Sequence, residues 1–326
     1  VQGSSVVKPL LGVDNIGPQD GVVIRPRLGK NRGVVVSCGI NPSYGRLDAY
    51  NMAVSVIDEA LRNLVATGGD IRKAAMLDNF CFSSPEREEI LGDIVMSAKG
   101  CYDAAVAFGV PFISGKDSLY NEWVDSQGKI HLIPPTLLIS AIGIIDDVAK
   151  CVTMDLKAPG NDIYLVGETA GELGGSEYFR ILGIKVGQVP KVHLTQARKI
   201  MNQVHTAMEK DLIQSCHDLS EGGLGLAISE MAFSGDIGVR LDLQDVIYNG
   251  KDRRFDFILF AESNTRFLLE IEKSHAAEIN DIFQGLPFAK IGETTEVKYL
   301  KIFFGKKKLI DLPLPIIQAK WQRKIV

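Results

Sequence analysis

Apolar positions recur along the chain at two periods. Val22–Ile24 and Gly33–Cys38 carry β-branched runs, with Val34, Val35 and Val36 reading as a buried strand. Asp48 follows as a helix N-cap. Met52, Ala53, Val56, Ile57, Ala60, Leu61 and Leu64 then keep helical spacing to about Thr67, where Gly68-Gly69 stops the helix. Ala74–Asp78 predicts a strand. Pro85 opens a second long helix over about Glu86–Phe108, closed by Gly109 and Pro111. Gly109–Ile113 reads as a strand that ends in a Ser-Gly turn, and Thr136–Ile145 as a strand apolar on both faces.

Lys150–Asn161 is the expected boundary, where Pro159-Gly160 breaks the pattern. Beyond it the pattern predicts a strand at Asp162–Gly167, a glycine-rich loop, and helices over Leu194–Lys210 and Gly222–Phe233. Strand Val239–Leu243 follows, then Phe257–Phe260 and Phe267–Ile271 as a pair of strands. Helix His275–Phe283, strands near Ala289–Ile291 and Tyr299–Phe304, and a terminal helix complete the chain. Helices come in long blocks between strands, which predicts an α+β fold. Residues 1–20 show little periodicity and read as an arm or a partly disordered segment. The expected domains are 21–150 and 151–326.

Composition narrows the function. A chain of 326 residues predicts two domains, and 46% hydrophobic content is that of a globular protein. The net charge of −4, with no basic run longer than Lys306-Lys307-Lys308, argues against a nucleic-acid partner. Those lysines read as a solvated turn. No apolar run reaches the length of a membrane span, and no signal peptide is visible. The start at Val1, without Met, suits a piece of a longer protein. The five cysteines (Cys38, Cys81, Cys101, Cys151 and Cys216) have no metal-ligand spacing and read as buried thiols in a reducing compartment.

Three tracts carry candidate chemistry. Ile113-Ser114-Gly115-Lys116-Asp117-Ser118-Leu119-Tyr120-Asn121-Glu122 sets a cation, an anion and a hydroxyl at a strand end. Lys and Ser there suit a phosphate, and Asp suits Mg²⁺ or a ribose hydroxyl. A plain surface turn is the alternative. His217-Asp218-Leu219-Ser220-Glu221-Gly222-Gly223-Leu224 places glycines at a helix start, where backbone N–H groups favour an anion. An ordinary capped helix fits equally. Gly171-Glu172-Leu173-Gly174-Gly175-Ser176-Glu177-Tyr178 follows a strand but matches neither a P-loop nor a dinucleotide fingerprint. Glu59 and Asn63 lie one helical turn apart, with Ser55 and Thr67 in line. Oxygen ligands so arranged suit Mg²⁺, and a solvated helix face is the alternative.

Taken in order, these tracts resemble the second half of phosphoribosylformylglycinamidine synthase, the PurL synthetase family. The resemblance runs from about Gly17 to Trp321. It includes Gly17–Pro26, Asn41–Tyr50, Glu59–Gly68, Leu77–Phe82 and Phe260-Ala261-Glu262-Ser263 besides the tracts above. It implies a PurM-like fold, in which an N-terminal α/β domain whose sheet pairs into a shared barrel precedes a C-terminal α/β sandwich.

The resemblance also implies site residues. Asp20, Glu59, Asn63 and Asp218 match magnesium ligands of the auxiliary nucleotide site of the large form of the enzyme, and Ser220 a nucleotide contact. Asp78 and Gly115 match ATP contacts, and Ser118 a substrate contact. Lys116 stands where many small-form members carry an Asn that binds magnesium. A protonated lysine cannot ligate a metal, so a contact to phosphate is expected there instead. His217 is expected to orient Asp218 or to act as a cap.

The implied reaction is a C–N ligation in purine biosynthesis. ATP and Mg²⁺ activate formylglycinamide ribonucleotide, and glutamine-derived ammonia converts it to the amidine, ADP and phosphate. The family's catalytic histidines lie in its first half, and His131, His193, His205, His217 and His275 match none of them. The chain alone is therefore expected to be inactive. The implied partners are the first half of the synthetase, the glutaminase subunit PurQ and the small subunit PurS, in the cytoplasm, with a homodimer when the chain is alone. A nucleotide-binding scaffold, or a stand-alone homodimeric enzyme of the same superfamily, are the competing readings.

Overall fold

The computed structural model describes residues 2–323; residues 1 and 324–326, the outermost parts of the expected arm and second domain, lie outside it. The first sheet has six strands: β1 (Ser5–Val7), β2 (Gly21–Ile24), β3 (Gly33–Ile40), β4 (Ala74–Cys81), β5 (Phe112–Ser118) and β6 (Thr136–Ile145). Their order is β1-β2-β3-β6-β4-β5. Every pair is antiparallel except β4–β5, which is parallel. Alternation decides the faces. Val35, Leu137, Ile139 and Ala141 point inward and are buried, whereas Val36, Ile40 and Ile142 on the other face are exposed, so Val34–Val36 is not the buried run expected: only Val35 faces the core.

Two long helices cover the inner face. Helix α1 (Ala49–Ala66) starts at Asp48, whose side chain accepts the Asn51 backbone N–H, and it ends before Gly68 at φ +106°. Helix α2 (Glu88–Phe108) ends at Gly109 in the left-handed conformation. Both match the helices read from periodicity. Helix α1 is buried almost all round because it also faces the second domain.

The second sheet has seven strands: β7 (Asp162–Val166), β8 (Ser215–Asp218), β9 (Gly238–Asp242), β10 (Phe267–Ile271), β11 (Phe288–Thr295), β12 (Tyr299–Phe304) and β13 (Lys307–Pro313). Their order is β8-β10-β7-β11-β9-β12-β13. Every residue of β7 and β10 is buried, as strands covered on both faces must be. On one face α3 (Leu194–Glu209) shares a core with α1, α2 and the first sheet. On the other, α4 (Gly223–Gly235), α5 (Phe255–Phe260) and the C-terminal helix, after α6 (Ala276–Ile282) numbered α7 (Leu314–Trp321), bound a second core. The fold is thus mixed α and β, with no closed barrel in the described residues.

Several expectations need correction. Phe257–Phe260 is helical, not a strand, and β10 pairs with β7 and β8 instead. Ile258 and Leu259 bury toward the second core, and four successive apolar residues are too few to reveal a period. The strand through Phe112 and Ile113 does not stop at Ser-Gly; it runs on to Ser118 because β4 offers a backbone partner at each step. Lys307 and Lys308 belong to β13 rather than to a turn. Cys101 and Cys216 are buried, but Cys38 is exposed and Cys81 and Cys151 are partly so. Among the described residues, no helix is long and apolar enough to cross a membrane.

Candidate functional site

Four segments converge on one cavity of about 300 Å³. Asp20 lies just before β2. Gln19 beside it holds the segment in place: its amide donates to Thr67 Oγ1 at 3.3 Å and its carbonyl accepts the Met154 N–H at 3.0 Å. Glu59 and Asn63 project from α1, Asp218 ends β8, and Ser220 follows in the loop to α4. The solvated-face alternative for Glu59 and Asn63 is excluded, because Asn63 is buried and both line this cavity. Ser55 and Thr67, on the same line of α1, do not. Ser55 donates to the Pro190 carbonyl and Thr67 to the Asn63 carbonyl.

Each candidate ligand has one side of its side chain held. Asp20 Oδ1 accepts a hydrogen bond from His217 Nδ1 at 2.7 Å, and Oδ2 is buried without a partner. Asn63 donates through Nδ2 to the Cys38 carbonyl at 3.0 Å, and its Oδ1 is likewise buried and unpartnered. Glu59 Oε2 accepts the Ile40 N–H at 3.0 Å. Asp218 Oδ2 accepts from Arg62 Nε at 3.1 Å and from Ser220 Oγ at 2.6 Å. Buried polar atoms are nearly always bonded, and these two oxygens in one cavity are acceptors open to a cation or to an ordered water. Oxygen-only donors suit Mg²⁺. Asp20, Glu59, Asp218, Glu221 and Glu230 line this cavity with His217, and Arg62 reaches Asp218 from beside it.

His217 is a holder rather than a ligand. Its Nε2 donates to Glu230 Oε2 at 3.1 Å while Nδ1 donates to Asp20, so both nitrogens are committed. It anchors Asp20, not Asp218 as expected, from which its Nδ1 is 4.0 Å away. Burial disfavours the charged ring, yet the charge and hydrogen bond of Asp20, then Glu230, hold its pKa well above the usual value. Burial pushes Asp20 up to about 6, against the pull of His217. Burial and then the charge of Glu221 raise Glu59 well above the carboxylate range. For Asp218 burial is outweighed by Arg62 and His217, and its pKa is lowered.

Arg62 is the residue the sequence reading passed over. It is buried, pairs with Asp58 one helical turn back, and donates through Nη2 to Ser220 Oγ at 2.9 Å. Asp58 in turn accepts from Thr265 N at 2.9 Å and Thr265 Oγ1 at 2.5 Å. The available signal was Asp58, Glu59 and Arg62 together on an otherwise apolar helix. Glu262 was quoted only as part of a tract. It accepts the N–H groups of Glu177 (2.8 Å) and Gly222 (2.9 Å) and the Tyr44 hydroxyl (3.1 Å), which fixes the loop after Ser220 against the first domain.

The second predicted set lies apart, on the β4–β5 edge of the first sheet. Asp78 and Gly115 are register partners, and a Cβ on Gly115 would stand 2.2 Å from Asp78 Oδ1. Burial and then the charge of Asp117 raise the Asp78 pKa. Lys116 Nζ meets Ser118 Oγ at 2.5 Å on the exposed strand. None of Asp78, Gly115, Lys116 and Ser118 lines the cavity of Asp20 and Asp218.

Comparison with known proteins agrees with this architecture. Residues 18–145 match the family "AIR synthase related protein, N-terminal domain", and residues 158–305 match "AIR synthase related protein, C-terminal domain". The chain is 38% identical to the phosphoribosylformylglycinamidine synthase subunit PurL of Thermococcus sibiricus, over 98% of this chain and 42% of that protein. It is 34% identical to the PurL of Thermoplasma volcanium, over 99% of this chain and 41% of that one. The chain thus spans about two fifths of the length of these relatives. Solved structures of Thermotoga maritima PurL complexed with ADP and of its PurLQS assembly share the fold. Their TM-scores are 0.73 and 0.74 at 19% and 20% identity, over 94% and 97% of this chain and 47% and 48% of theirs. The chain belongs to the AIR synthase-related family, carries that family's N- and C-terminal domains in order, and within it is a homologue of part of PurL.

Proposed function

We propose that the chain is the nucleotide-binding second half of a PurL-type phosphoribosylformylglycinamidine synthase, with Asp20, Glu59, Asn63 and Asp218 holding Mg²⁺ and Ser220 beside the nucleotide. The observation that carries this reading is the pair of orphaned oxygens, Asp20 Oδ2 and Asn63 Oδ1, buried in one cavity. Bound there, Mg²⁺ would neutralise the phosphates of ATP or ADP. Arg62, His217 and the Ile40 N–H keep the carboxylates oriented before any ligand arrives, so little ordering accompanies binding. The domains run from 21 to 150 and from 151 to 326; residues 5–20, expected as an arm or a partly disordered segment, instead pack against both, with Ser5–Val7 in the first sheet and Val13 bonded to Ser234.

The β4–β5 edge is a second contribution. Asp78, Gly115 and Lys116 would meet ATP, and Ser118 the substrate, in a centre built mainly by a segment outside this chain. The exposed position of Lys116 and the half-buried Ser118 beside it support this. The complete reaction would amidate formylglycinamide ribonucleotide with ammonia from a glutaminase subunit of the PurQ type, in an assembly that includes PurS, in the cytoplasm. No residue of this chain is assigned as catalytic, and the isolated chain would be inactive.

Titration calorimetry of ADP with Mg²⁺ into the purified chain tests the reading, with Asp218→Asn as control. Magnesium-dependent binding lost in the variant is the expected result. No binding by the parent chain would overturn it and leave the chain as a scaffold half.

A further inference from the structure

We propose that Trp321 and Glu230 are positioning residues for the metal pocket, acting through a hydrogen-bond chain that joins the C-terminal helix to Asp20. The inference rests on the Mg²⁺–nucleotide reading above and adds a means of regulating that site. Trp321 Nε1 donates to Glu230 Oε1 at 2.9 Å. Glu230 Oε2 accepts from His217 Nε2 at 3.1 Å, and His217 Nδ1 donates to Asp20 Oδ1 at 2.7 Å. Each carboxylate uses a separate oxygen for its contact with the ring, so no link competes with another. At the far end Asp20 lines the cavity, and its Oδ2 is buried without a partner.

The chain has a reason to need its outer anchor. Glu230 lies on α4 and lines the cavity itself. Held by Trp321, it presents one oxygen to His217. Released, its side chain is free to turn within the cavity, and the imidazole loses the partner that sets its tilt. Removing the direct partner of a metal ligand, here His217, changes metal affinity by roughly 10- to 100-fold, and the lower end of that range is expected for the links beyond it. Trp321 in turn sits on α4, with its ring 5.4 Å from that of Phe233, and Leu314 at the start of α7 is buried in the second core. Whatever lifts α7 from α4 therefore loosens Asp20. By linkage, metal at Asp20 strengthens the docking of α7 by the same factor.

The chain has two tryptophans, so its ¹⁵N spectrum carries two indole N–H signals, and Trp321→Phe assigns them. Mg²⁺ is titrated with and without ADP while its affinity is measured by calorimetry. The expected result is that the Trp321 signal shifts with the calorimetric midpoint while that of Trp123 stays still. Trp321→Phe, which keeps a ring against Phe233, and Glu230→Gln, which cannot accept at both positions, should each weaken Mg²⁺ about tenfold. If Asp218→Asn abolishes Mg²⁺ binding but the Trp321 signal is stationary and both variants bind as the parent does, the positioning chain is wrong and the nucleotide site stands. If the parent chain binds no Mg²⁺ under either condition, both fall.

Discussion

Arg62 and Asp218, 156 positions apart, meet at 3.1 Å in the buried seam between the two domains. The contact takes Oδ2 of Asp218 and leaves Oδ1, 4.0 Å from His217 Nδ1, outside it. It also completes a network in which Asp58, Arg62, Asp218, Ser220 and Thr265 satisfy one another.

Removing the guanidinium should therefore cost stability and binding together. Arg62→Met leaves Asp58 buried without its cation, a defect of about 3–5 kcal/mol. Urea unfolding should show the lower midpoint, and calorimetry a loss of Mg²⁺–ADP binding. A variant as stable as the parent would refute the network's role.

Two glycine substitutions should move stability in opposite directions. A Cβ on Gly39 would stand 2.1 Å from the Val56 carbonyl, where α1 crosses β3. Gly39→Ala must push the helix away and should destabilise by about 1–3 kcal/mol. Gly92 lies inside α2 with nothing within 4 Å of its would-be Cβ. Gly92→Ala should stabilise by about 0.5–1 kcal/mol. Thermal melts of the two variants test both signs.

Glu262 should make stability depend on pH. Burial, more than its neighbours, raises its pKa from 4.5 to about 7. The folded state then holds a proton that the unfolded state has released between these values. Its stabilising contribution is complete below about pH 4.5 and is lost as pH rises to about 7, at most about 3 kcal/mol. Glu262→Gln should remove this component. Urea midpoints of parent and variant at pH 5 and pH 8 measure it, and parallel curves would count against the assignment.

The outer face of the first sheet should pair with a second copy when the chain is alone. Val36, Ile40 and Ile142 expose 37%, 38% and 37% of their surface there, and Ile113 on the edge strand 63%. Light scattering should give a dimer at micromolar concentration, and Ile142→Asp a monomer. A monomeric parent chain would contradict this.

Local signals carried much of the architecture. Helix α1 was legible because its apolar positions keep the helical period between an Asp cap and a Gly-Gly stop. The strands β3 and β6 were legible from β-branched runs. Helix α5 was not, since packing of Ile258 and Leu259 rather than any local pattern decides it. The polar end of β5 was missed because an edge strand tolerates polar side chains so long as its backbone is paired.

The sequence by itself determined where most helices and strands form, which oxygens were candidate ligands, and the family resemblance, because each depends on neighbours along the chain or on ordered motifs. It left Glu59 and Asn63 equally readable as a solvated helix face. Only the tertiary structure decided that α1 is covered on both sides, that Asp20 meets His217 across 197 positions, and that Arg62 and Glu262 join the domains. Those contacts depend on how the two sheets sandwich the helices between them, and no local pattern encodes that placement.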